Sequence, residues 1–229
     1  FDQLPKGAFA LVNSDDKNGM VMLQNTNAKK LTYALKSYAD YRAQILENQL
    51  TGLLLKINEQ EVWVRLIGTF NAYNLLAIYG TAIELGLDSM EVLRLVSELE
   101  SVSGRFQYII SKGNITAVVD YAHTPDGVEN VLETARNLIK DNGRLITIMG
   151  CGGDRDSAKR PVMGRLAYDL SDILIITSDN PRTEDPDGII NEIKKGLPDE
   201  ITKQVIFESD RRLAIAQSKL IAKSGDVVM

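Results

Sequence analysis

The sequence predicts an α/β protein in two parts, the second built on a mostly parallel sheet with helices on both faces. Three observations predict it. From about Asn114 onward, short β-branched runs alternate with helical patterns. The runs start roughly 30 residues apart, the length of a strand plus its crossover helix. Before that point the pattern changes to a hairpin and two consecutive helices, and the joint "SVSGRFQ" (101–107) is small and polar. A joint of that kind marks a domain boundary, so the parts are taken as 1–102 and 103–229.

In chain order, "GAFALVNSDD" (7–16) reads as a strand ending in carboxylates. "LTGLLLKINEQEVWVRLIG" (50–68) has two β-prone runs about the turn "NEQ", an antiparallel hairpin. "NAYNLLAIYGTAIELG" (71–86) and "DSMEVLRLVSELE" (88–100) read as helices. The later strands are "ITAVVD" (115–120), "RLITIMG" (144–150), "DILIITSD" (172–179), "KQVIF" (203–207) and "DVVM" (226–229). Thr124 and Pro125 open a helix whose Val128, Val131, Leu132, Ala135, Leu138 and Ile139 share a face, with Gly143 closing it. Asp210 is the expected N-cap of a helix ending near Gly225.

At 229 residues the chain exceeds the usual size of one domain and can bury a substantial core. A net charge of −5 argues against nucleic acid or an anionic membrane as main partner. The apolar runs are too short to span a bilayer, so no membrane insertion is expected, and "FDQLPKG" lacks a signal-peptide layout. The single cysteine, Cys151, rules out an internal disulfide and fits a reducing compartment. A start without methionine and a stop at "GDVVM", a strand just beginning, read as a segment of a longer protein.

Ligands of open parallel sheets bind beyond the carboxyl ends of the strands. Three loops fall there: "DYAHTPDG" (120–127), "GCGGDRDSAKRP" (150–161) and "SDNPRTEDPDG" (178–188). Each has a structural alternative. His123, the only histidine, can serve as a cap or a packed ring; Gly150, Gly152 and Gly153 can serve a tight turn or cradle an anion; Arg182 can be a solvated surface group. Neither a GxxxxGK[ST] phosphate loop nor a GxGxxG fingerprint is present. Together the loops are expected to bring Asp120, Arg155, Lys159, Arg160, Asp179 and Arg182 to one rim, which suits a ligand with several anionic groups.

Five ordered motifs, "GTFNAYNLLAI" (68–78), "SGRFQ" (103–107), "VVDYAHTPD" (118–126), "GCGGDRDSAKRP" (150–161) and "SDNPRTEDP" (178–186), resemble the Mur ligase family over nearly the whole chain. Within it they resemble the branch that adds diaminopimelate. The resemblance implies the latter part of a central P-loop-type ATPase domain followed by most of a Rossmann-like C-terminal domain. It also implies a cytoplasmic, ATP- and magnesium-dependent amide ligase of peptidoglycan biosynthesis. Such a ligase joins meso-2,6-diaminopimelate to UDP-N-acetylmuramoyl-L-alanyl-D-glutamate through an acyl phosphate.

By the same resemblance Asn71 and Asn74 lie near the adenine, Arg105 reaches the nucleotide phosphates, Asp120 meets the ribose, and His123 belongs to the same nucleotide-facing loop. Arg155 with Asp179, Asn180, Pro181 and Arg182 matches the diaminopimelate positions. A planar guanidinium at 182 can clamp the distal carboxylate that distinguishes diaminopimelate from lysine, and relatives that add lysine lack this arginine. Pro181 fixes one torsion and holds Asn180 extended. The family's P-loop, its carbamylated lysine, its uridine-binding domain and its C-terminal Gly-Lys-Gly-His-Glu segment lie in none of these residues, so no catalytic residue is assigned and the chain alone is expected to be inactive. Two rival readings are a folylpolyglutamate synthetase-like ligase, which would not be expected to carry "DNPR", and a non-catalytic nucleotide-binding or scaffolding remnant.

Overall fold

The computed structural model describes residues 1–49, 51–139 and 142–229. Contacts divide the chain into two units, Phe1–Ser101 and Val102–Met229. Leu50, first residue of the expected hairpin segment, lies outside the described residues, as do Lys140 and Asp141 on the way to Gly143.

In the first unit, β1 (Phe9–Asn13), β2 (Lys29–Ala34), β3 (Tyr41–Gln49), β4 (Gly52–Ile57) and β5 (Gln60–Val64) form one sheet in that spatial order. A one-turn α1 (Gly19–Met22) follows β1, and α2 (Thr69–Glu84) and α3 (Ser89–Ser97) follow β5. β1 to β3 pair parallel, and β3 to β5 antiparallel. The β4–β5 hairpin is the expected one, with its turn confined to Asn58 and Glu59 at φ 44° and 70°, the left-handed pair that a tight two-residue turn requires. Leu53, Leu55 and Ile57 alternate onto one face of β4 and share a core with Leu75, Leu76 and Tyr79 of α2 and Val92, Leu93 and Val96 of α3. β2 and β3 are additions to the sequence reading. Lys29 and Lys30 dilute the first, and a register shift between Ile45 and Glu47 breaks the alternation of the second.

The second unit contains β6 (Gln107–Ile110), β7 (Thr116–Val119), α4 (Pro125–Leu138), β8 (Leu145–Met149), α5 (Lys159–Leu170), β9 (Ile173–Ile176), α6 (Pro186–Lys194), β10 (Gln204–Phe207), α7 (Arg211–Ile221) and β11 (Val227–Val228). Its sheet runs β10-β9-β8-β11-β7-β6, parallel except for the β6–β7 pair. All five expected strands form, and β8 and β9 are almost wholly buried, as apolar runs covered on both faces should be. β6 starts at Gln107, the last residue of what read as a joint, and runs only to Ile110, an edge strand too short to show alternation.

Helix punctuation follows local chemistry. The Thr124 hydroxyl accepts the Gly127 amide at 3.1 Å ahead of Pro125, and Asp185 accepts the Gly188 amide at 2.9 Å ahead of Pro186. Asp210 caps α7 through the amides of Arg212 and Leu213. Two expected ends are corrected. α4 stops at Leu138 and α7 at Ile221. Gly143 serves instead a close approach, since a Cβ there would lie 2.3 Å from the Gly225 carbonyl oxygen.

Candidate functional site

The loops after β7, β8 and β9 leave the same end of the parallel sheet. After β7, both Asp120 oxygens are held by backbone: Oδ2 accepts the Phe106 amide at 2.8 Å and Oδ1 the Ala122 amide at 2.7 Å. Asp120 thereby fixes the turn carrying Arg105. The Arg105 guanidinium lies 5.0 Å from the Tyr121 ring centroid, and the Tyr121 and His123 rings are 5.3 Å apart. His123 Nδ1 is 3.0 Å from the Tyr121 carbonyl oxygen. Arg105, Asp120 and His123 are therefore brought together, joined by Tyr121, which the sequence reading did not single out.

Asn71 and Asn74 belong to the first unit, at the start of α2. Asn71 Nδ2 donates to the Ile67 carbonyl at 2.8 Å, and Asn74 Nδ2 to Asn71 Oδ1 at 3.2 Å. Between them, the Tyr73 hydroxyl donates to Asp15 Oδ2 at 2.8 Å. Asp15 also accepts the amides of Leu35, Lys36 and Ser37. Burial pushes its carboxyl up, but hydrogen bonds from Ser37, Lys36, Tyr73 and Leu35 outweigh this and hold it well below the usual carboxylate range. Asp15 thus pins the helix turn that presents both asparagines.

The loops after β8 and β9 are sewn into one body. The Gly153 amide donates to the Asn180 carbonyl at 2.8 Å, and Arg182 Nη1 donates to the Gly153 carbonyl. Thr183 Oγ1 donates to Asp154 Oδ1 at 2.7 Å, and the Asp154 amide donates to Glu184. A Cβ on Gly153 would sit 1.9 Å from the Pro181 carbonyl oxygen, so this glycine serves close loop packing. Asp154 and Arg182 both take left-handed backbone conformations, φ 52° and 51°. In a non-glycine residue such a conformation costs about 1–2 kcal/mol, which the surrounding bonds must offset.

Arg182 is exposed, with its Nη1 held against the Gly152–Gly153 backbone by the bond to the Gly153 carbonyl. Arg155 is also exposed, as is Asn180. The Asp179 carboxylate pairs with Arg211, at the start of α7, a partner not anticipated from the sequence. Arg160 departs from expectation: it is not on the rim but 1% exposed beneath it, bonded to Glu184, Glu192 and the Gly152 carbonyl. The Arg160 fork and the Asp154 amide pull the Glu184 carboxyl down to about 2. Cys151 is 4% exposed, and burial pushes its thiol up to about 11.

A parallel α/β unit with arginines displayed at its strand ends, preceded by a sheet-and-helix unit with paired asparagines, defines the class. The chain belongs to the Mur ligase family: the model for the Mur ligase glutamate ligase domain matches residues 104–229, and that for the Mur ligase middle domain matches residues 1–82. Among curated relatives, the UDP-N-acetylmuramoyl-L-alanyl-D-glutamate–2,6-diaminopimelate ligase of Parabacteroides distasonis is 52% identical over 229 residues, 100% of this chain and 47% of the relative. A solved structure of a ligase with the same name is 36% identical, with TM-score 0.57, over 96% of this chain and 47% of that one. Folylpolyglutamate synthase from Thermotoga maritima shares the fold, with TM-score 0.63 at 19% identity over 88% of this chain and 45% of that one. The chain spans about half the length of the curated relatives it matches.

Proposed function

We propose that this chain is the middle and C-terminal part of a cytoplasmic, ATP-dependent amide ligase that adds meso-2,6-diaminopimelate to UDP-N-acetylmuramoyl-L-alanyl-D-glutamate in peptidoglycan biosynthesis. The observation that carries the reading is Arg182, exposed and forked on a loop sewn to the glycine-rich loop. The names of relatives about half identical to this chain support the same substrates. In this reading residues 1–102 form the later part of the ATP-binding domain and 103–229 the amino-acid-binding domain.

In the complete ligase the reaction runs in two steps. The D-glutamyl carboxylate takes the terminal phosphoryl group of ATP, releasing ADP. The diaminopimelate amine then attacks the acyl carbon, a C–N bond forms, the C–O bond to phosphate breaks, and the amine loses a proton. Asn71, Asn74, Arg105, Asp120 and His123 are assigned to ATP. Arg155 and the Asp179–Arg182 loop are assigned to diaminopimelate, with Arg182 clamping its distal carboxylate and Pro181 stiffening the approach. Magnesium is the metal this chemistry calls for. Among the described residues no group of three or more His, Cys, Asp or Glu could hold a metal ion, and no residue or step is assigned to magnesium. No helix among the described residues is long and apolar enough to cross a membrane, and neither membrane insertion nor nucleic acid enters the proposed function.

Substituting Arg182→Ala in the complete ligase tests the reading. A charged ligand group left without its partner costs about 2–4 kcal/mol, so kcat/KM for diaminopimelate should fall by roughly 30- to 800-fold. Lysine, which has no distal carboxylate, should react as slowly as before. An equal fall for both acceptors would remove the clamp from the mechanism.

A further inference from the structure

We infer that Arg160 is a positioning residue for amino-acid selection, a buried fork that fixes the loops presenting Arg182 and Arg155. The inference rests on the proposed diaminopimelate site and deepens it. Arg160 Nη1 donates to Glu184 Oε2 and to Glu192 Oε2, both at 2.7 Å. Nη2 donates to Glu184 Oε1 at 2.7 Å and to the Gly152 carbonyl at 3.1 Å. One guanidinium therefore joins the loop after β8, the loop after β9 and α6. Its Nε finds no partner among the described residues, so all its bonding goes to these segments.

Two geometric facts connect this anchor to Arg182. Glu184 follows Arg182 by two residues, and its amide bonds the Pro181 carbonyl at 3.0 Å, closing a turn around the left-handed Arg182. Gly152 precedes Gly153, whose carbonyl receives Arg182 Nη1 and whose amide holds Asn180. Both ends of the Arg182 arrangement are thus tied one or two residues from a bond to Arg160. Lysine carries the same charge but presents no planar fork, and it cannot reproduce two parallel bonds to Glu184 while holding Glu192 and Gly152. With that support loosened, the disfavoured backbone at Arg182 is free to relax, and the clamp loses its aim.

The test uses the complete ligase carrying Arg160→Lys, with Glu192→Gln as the milder variant because it leaves the Glu184 pair in place. Kinetics with diaminopimelate, lysine and ATP are combined with thermal melts. Arg160→Lys should raise the diaminopimelate KM about tenfold or more while kcat stays within about threefold and the ATP KM is unchanged. Glu192→Gln should move the same constant in the same direction by about two- to fivefold. In an Arg182→Ala background, Arg160→Lys should add less than about twofold, because the two act through one group. An unchanged diaminopimelate KM in folded Arg160→Lys would overturn the inference, as would a full, independent loss in the Arg182→Ala background. Should Arg160→Lys fail to fold, Glu192→Gln decides alone, an unchanged diaminopimelate KM overturning the inference. If the unsubstituted ligase rejects diaminopimelate, the functional reading itself falls.

Discussion

Glu184 meets an arginine fork and a backbone amide at once, which makes it the acid-sensitive member of the loop pair. Its carboxyl lies at about 2 in the folded chain against an ordinary 4.5. A depressed folded value means that ionised Glu184 favours the native state above pH 4.5, and that this contribution disappears as pH falls towards 2. Unfolding of the original and Glu184→Gln proteins should therefore differ most near neutral pH and converge in that acid window. A gap that stays constant down to pH 2 would show that the carboxylate contributes nothing. Charge alone did not disclose this arrangement. Arg160 reads as one more rim cation in "DRDSAKRP" because its carboxylate partners lie 24 and 32 residues further along, and only the fold brings them together.

Elements were legible where their pattern is local. The strands β8 and β9 are near-continuous apolar runs, and the Thr124–Pro125 and Asp210 helix starts are signalled by neighbouring residues alone. β6 and β2 were not, since four residues are too few to show alternation and a lysine-rich start breaks it. The glycine-rich loop shows the same limit: a turn and an anion cradle look alike in sequence, while the structure shows Gly153 pressed against the Pro181 carbonyl. Gly153→Ala forces two backbone segments apart and should destabilise the second unit by about 1–3 kcal/mol in urea unfolding. A change within measurement error would mean that the loops part freely.

At the scale of the molecule, Asn71 and Asn74 belong to the first unit and Arg105, Asp120 and His123 to the second. The sequence resemblance named these positions. The contacts among Arg105, Tyr121 and His123 required the fold. No GxxxxGK[ST] phosphate loop occurs in the 229 residues, and the proposed phosphoryl transfer depends on such a group. Purified by itself, the chain should form no tripeptide from ATP and both substrates; product detected by mass spectrometry would require a different phosphate-handling device.

The shielding of Cys151 has a practical consequence for watching this protein move. With its sulfur screened and protonated at neutral pH, the native thiol need not be engineered away before fluorophores are attached. A cysteine substituted for Tyr38, which is 91% exposed, would take a maleimide dye at one address, leaving the chemistry beside the glycine-rich loop untouched.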